Sequence, residues 1–103
     1  MLTNIKVING GKYMELKDTI EMMNSDNYKE RFKAEYYQTK IRYEKLKLFN
    51  TQIEAAEATK FMKNAMEAPK HDCPADLLRA QQRAMGEYLH MLELRACIEG
   101  ITL

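Results

Sequence analysis

The chain has 103 residues and carries sixteen Lys and Arg against fifteen Asp and Glu, a net charge of +1. That balance excludes a protein that coats duplex nucleic acid through a strongly basic surface. Charged residues at 30%, hydrophobic ones at 46%, four Gly, two Pro and no Trp fit a soluble helical chain and exclude a disordered one.

Residues Leu2 to Ile8 alternate weakly and end in Asn9-Gly10-Gly11, a strong turn signal. A short strand or an arm is therefore expected over residues 1–11. From Lys12 onward, Tyr13, Leu16, Ile20 and Met23 step by three and four, which predicts a short amphipathic helix over about 12–24. Asn24-Ser25-Asp26-Asn27 stops it and supplies capping side chains for the next helix.

A long helix is predicted over about 26–57. Phe32, Tyr36, Thr39, Tyr43, Leu46, Asn50 and Ile53 form a seam along one side of it, with Tyr37, Ile41 and Leu48 alongside. This apolar face is wider than one contacting helix requires, which favours additional helices from other subunits. Pro69 and Pro74 cannot both lie inside a regular helix, so a loop is expected over about 58–73. A last helix follows over about 74–99, opened by Pro74 and stopped by Gly100. Its seam is Leu78, Gln82, Met85, Leu89, Leu92 and Ala96, flanked by Leu77, Ala84, Tyr88, Met91 and Ile98.

The fold expected is thus all-α: a short N-terminal helix, then a long antiparallel two-helix hairpin, with residues 12–103 as one domain. A domain of this length buries only about 60–65% of its surface on folding, so oligomerisation is expected. The longest apolar runs fall far short of the ~20 residues of a membrane span, and no apolar core of signal-peptide type opens the sequence. Cys73 and Cys97 form no CxxC pair. A reduced, cytosolic setting without membrane contact is the expectation.

Catalytic chemistry finds little support. His71, Asp72 and Cys73 are consecutive, and neighbouring side chains on a loop diverge, which suits a metal poorly; His90 is the other histidine. Cys73 lacks an orienting group and an oxyanion site. No enzyme activity, metal or cofactor is expected. Binding is better supported. Between Asp26 and Lys47 seven basic residues face four acidic ones, interleaved with tyrosines. Such a pattern also describes an ordinary solvated face with pairs such as Glu30 with Lys33. Tyrosine rings stack on nucleobases, and Lys and Arg take phosphates. With Phe32, Tyr36 and Tyr43 on the seam, the side chains left for a ligand are Tyr28, Lys29, Arg31, Lys33 and Tyr37. The competing class is an adaptor that docks a protein through its Met and Tyr face, Met62, Met85, Tyr88 and Met91.

The segments DNYKERFKAEYYQTKIRYEKLKLF and KHDCPADLLRAQQRAMGEYLHMLELRACIEGI closely resemble small phage proteins related to a crAss-like phage family. These share a helical hairpin with phage anti-CBASS and anti-Thoeris sponges, and the likeness runs from about Asn27 to Ile101. It implies a phage immune-evasion protein in the cytoplasm of the infected bacterial host. Such a protein sequesters cyclic di- or trinucleotide signals without cleaving them, as a homo-oligomer from dimer to hexamer with ligand between subunits. By the same resemblance Tyr13 and Lys29 hold a cyclic dinucleotide. Arg83 is the nearest counterpart of an Arg that contacts cyclic trinucleotides, with Arg79 one turn away.

Overall fold

The computed structural model describes residues 7–9 and 12–103, with side chains from Met14 onward. In chain order it contains strand β1 (Val7–Asn9), strand β2 (Lys12–Met14), a 3-10 turn (Leu16–Thr19), and helices α1 (Ile20–Met23), α2 (Tyr28–Ala58) and α3 (Ala75–Glu99). Helices dominate, as expected of this sequence. The segment 12–24, however, is not one helix. Lys12–Met14 is a strand paired antiparallel with β1 in the register Val7↔Met14, Ile8↔Tyr13, Asn9↔Lys12, and α-helix begins only at Ile20. Backbone pairing with β1 extends the chain where the side-chain spacing alone suits a helix. The rest of the arm expected over 1–11, and the side chain of Tyr13, lie outside the described residues.

Each long helix has physically identifiable ends. Asn27 caps α2 by accepting the Lys29 backbone N–H at 2.9 Å, which satisfies one of the donors a helix start leaves open. At the far end of α3, Gly100 takes the left-handed conformation with φ 71°, and the Ile101 N–H returns to the Ala96 carbonyl at 2.8 Å. That closure is a Schellman-type cap, and it tucks Ile101 into the core.

Cross-helix bonds set the relation between α2 and α3. Tyr28 bonds Glu99, Tyr36 bonds Glu93, and Asn50 bonds Leu78 and Gln82. As the α2 partner advances, the α3 partner recedes, so the two helices pack antiparallel along their length. The 31 residues of α2 span roughly 46 Å at ~1.5 Å per residue, which accounts for a longest dimension of 54 Å.

The core is concentrated at one end. Phe32, Tyr36, Tyr37 and Ile41 of α2 meet Leu89, Leu92 and Ala96 of α3, closed by Met14 and Ile101. The N-terminal elements cover this end. Thr19, almost fully buried, donates to the Leu16 carbonyl at 2.7 Å and accepts from Gln38 Nε2 at 2.9 Å. At the opposite end Asn50 and Ala56 are buried, while residues 59–64 form turns and 65–74 follow without regular structure, the Thr59 hydroxyl accepting the Met66 N–H at 3.0 Å. The flanking positions of α3 are uncovered: Leu77, Tyr88, Met91, Leu94 and Ile98 are all exposed.

Candidate functional site

The start of α2 gathers four of the sequence-derived candidates. Tyr28 is its first residue, and its hydroxyl donates to Glu99 Oε1 at 2.9 Å while accepting from Arg95 Nη2 at 2.6 Å. Arg95 Nε also donates to Glu99 Oε2 at 3.0 Å, and the guanidinium lies 5.0 Å from the centre of the Phe32 ring. Tyr28, Arg95 and Glu99 therefore form a closed triangle. The Tyr28 hydrogen bond, seconded by that from Arg95, holds the Glu99 carboxyl below its ordinary range. The same bond to Glu99 pushes the Tyr28 phenol up.

The neighbouring charges are engaged to different degrees. Arg31 Nη1 donates to the Ser25 carbonyl at 2.8 Å, which folds it back over the turn before the helix. Lys33 pairs with Glu30 at 3.5 Å, as the solvated-face reading has it. Lys29 is exposed and has no side-chain hydrogen bond or ion pair among the described residues. Of the charges at this end it is the one positioned to meet an anion without first breaking an internal bond.

Arg79 and Arg83 lie elsewhere. They precede Glu99 by twenty and sixteen residues on the same helix, roughly 30 and 24 Å at ~1.5 Å per residue. One chain therefore does not bring them to the Tyr28 and Lys29 end. Arg79 is ion-paired with Asp76 and borders a cavity of about 810 Å³ with Ile53, Glu57, Met66 and His71 at the loop end of the helix pair. Arg83 is exposed, has no ion pair among the described residues, and borders a groove of about 600 Å³ with Tyr43, Glu87 and His90. Tyr13 stands opposite Ile8 on β2.

Sequence reading missed Arg95 and the groove around Tyr43. Arg95 carried a usable signal, its i,i+4 spacing to Glu99. The spacing places Tyr43 on the seam, yet it is only half-buried. The signal that could have found it is Gly86, a glycine inside a helical pattern, which marks a close approach. A Cβ at Gly86 would stand 3.2 Å from Tyr43 Cε1.

The Sequestin family profile matches residues 26–98, most of the chain. The chain belongs to the Sequestin family. Neither the curated proteins nor the solved structures yield a match. The Sequestin region includes both long helices apart from the last residue of α3, with Tyr28, Lys29, Arg31, Lys33, Arg79 and Arg83 inside it. It leaves out the β1–β2 ladder and α1. Among the described residues no helix is long and apolar enough to cross a membrane.

Proposed function

We propose that this Sequestin-family chain is a phage immune-evasion sponge. It binds cyclic di- or trinucleotide second messengers in the cytoplasm of the infected bacterium and withholds them without cleavage. The observation that carries the reading is membership of the Sequestin family, whose name suggests sequestering, across the stretch that holds all the charged candidates. Sub-micromolar affinity needs more than about 8 kcal/mol. Charge-assisted bonds of about 1.5–3 kcal/mol each then call for several basic contacts and a stacked ring. The separation of Lys29 from Arg79 and Arg83 supports a homo-oligomer, in which different copies present different ends of the hairpin to ligand.

A second reading is favoured by one observation. The exposed apolar positions of α3, Leu77, Tyr88, Met91, Leu94 and Ile98, would equally serve an adaptor that docks on a protein. The experiment that separates the two is a thermal-shift panel of cyclic dinucleotides, cyclic trinucleotides and cyclic ADP-ribose isomers, followed by heat release and chromatography. A sponge is stabilised by nucleotide alone and returns it intact; an adaptor is not stabilised. Within the sponge reading, Lys29→Ala weakens binding and leaves the oligomer unchanged, and loss of the oligomer instead would remove Lys29 from the ligand.

A further inference from the structure

Helix α3 carries two apolar faces. One takes Leu89, Leu92 and Ala96 into the core. The other holds Leu77, Ala80, Ala84, Glu87, Met91, Leu94 and Ile98, at alternating steps of three and four, and all of these residues are exposed. A helix with one partner turns a charged and polar face to water. Here the face away from α2 has Glu87 as its one charged member. It runs for three heptads, about 32 Å of helix, which is the pattern of a seam for another helix.

The stripe is graded in size, and the grading selects an orientation. Small residues, Ala80 and Ala84, stand in its first half; Met91, Leu94 and Ile98 stand in its second, with Ile98 84% exposed. Two copies laid parallel would set bulk on bulk, methyl on methyl, and Glu87 against Glu87, where like charges repel. Antiparallel copies match instead. The register that seats Ile98 over the partner's Ala80 also seats Leu94 over the partner's Ala84 and Met91 beside the partner's Glu87. Large side chains then fill the space that small ones leave at each layer. In that register each Glu87 comes next to the partner's His90, and neither side chain has an ion pair among the described residues. Leu77 overhangs the end of the partner's helix.

We propose, resting on the homo-oligomer of the sponge reading, that two copies of this chain pair through the outer face of α3, antiparallel about a two-fold axis. The occupant of the face is the same face of a second copy, as a two-fold interface requires. One consequence is spatial: the Tyr28 and Lys29 end of one copy lies alongside the loop end of the other.

The test is disulfide trapping in the full chain, with Cys73→Ser and Cys97→Ser as background. Ala84→Cys and Leu94→Cys are made separately, mixed under reducing conditions so that copies exchange, and oxidised with glutathione disulfide. Both positions are exposed, so neither change disturbs the core. Antiparallel pairing brings 84 against 94 of the partner and keeps each position far from its own counterpart. The mixture is therefore expected to give a disulfide between the two variants, read by mass spectrometry, in roughly tenfold higher yield than either variant alone gives. Self-linked dimers from each variant alone would show parallel pairing and overturn the proposal. An associated chain that forms no disulfide in any sample would place the contact on another surface, which overturns the proposal and leaves the homo-oligomer standing. A background chain that is monomeric by light scattering at the same concentration overturns the homo-oligomer and the pairing together.

Discussion

The Tyr28 hydroxyl donates to Glu99 Oε1 at 2.9 Å, so the first residue of α2 is bonded to the last residue of α3. Arg95 completes the triangle from one turn away. The clasp fixes the open end of the helix pair and withdraws Tyr28 from immediate ligand contact, because stacking a base on its ring in a new orientation would break two internal bonds.

The clasp makes stability depend on pH at its acid end. Glu99 has a folded-state pKa below its ordinary value of 4.5, first through Tyr28 and then through Arg95. Between the two values the unfolded chain binds more protons than the folded one, so stability rises with pH in that window. The contribution is complete above about pH 4.5 and is lost as pH falls through the folded value. Glu99→Gln is therefore expected to melt below wild type at pH 7 and to converge with it on acidification. A constant gap between the two melting curves from pH 7 to pH 3 would show that Glu99 ionisation is not the cause.

Ile41 and Leu92 belong to the same buried core cluster and are 0% and 1% exposed. Either residue changed to Ala is expected to cost about 2–5 kcal/mol, since the neighbouring rings of Tyr36 and Tyr37 refill the space only in part. That is a large share of the ~5–15 kcal/mol that holds a domain together. Urea unfolding followed by circular dichroism reads the loss. A cost below about 1 kcal/mol would mean that this core is looser than its burial indicates.

Asn50 interrupts the apolar seam of α2 at a buried position. Its Nδ2 donates to the Leu78 carbonyl at 3.1 Å and to Gln82 Oε1 at 2.9 Å, while Oδ1 is buried without a partner. A half-satisfied amide in a helical seam fixes register at some expense of stability. Asn50→Leu is expected to stay within about 1 kcal/mol of wild type. In the proposed homo-oligomer, the same variant is expected to broaden the distribution of particle sizes seen by light scattering. A stability loss above about 3 kcal/mol would instead make the Asn50 bonds a net support of the fold.

The outer face of α3 gives a fourth expectation. Met91 is 54% exposed and Ile98 84%, one heptad apart on a face that α2 does not cover. In the proposed homo-oligomer, Met91→Lys and Ile98→Lys are each expected to shift the chain toward monomer in size-exclusion chromatography, with the stability of the single chain changed by about 0.5 kcal/mol or less. An unchanged assembly would place the contacts between copies on another surface.

Tyr36 shows why the sequence exposes a seam more readily than it exposes chemistry. Its place among Phe32, Tyr43 and Asn50 follows from three- and four-residue spacing alone, and it is buried. What the spacing does not contain is its bond to Glu93 at 2.7 Å. Burial first, and that bond second, push its phenol well above the ordinary range. In the same way Lys33 and Arg79 stand among the ligand candidates of the sequence, yet Glu30 and Asp76 on the same helices engage them, the first of these pairs being the one that the solvated-face reading names. The segment 12–24 misled because four residues at helical spacing cover only three turns, and a strand partner in β1 outweighs so short a pattern.

The sequence by itself determined the long elements of this protein. A seam repeated over several heptads, a capping Asn27, two prolines and a terminal Gly100 are local instructions, and local hydrogen bonding carries them out wherever the chain packs. Tertiary structure decided which side chains remained available. Partner choice among Tyr28, Arg95 and Glu99, the close approach of Tyr43 to Gly86, and the distance from Lys29 to Arg83 all depend on how α2 lies on α3. Those relations join residues far apart in the chain, and only the antiparallel packing of the two helices fixes them.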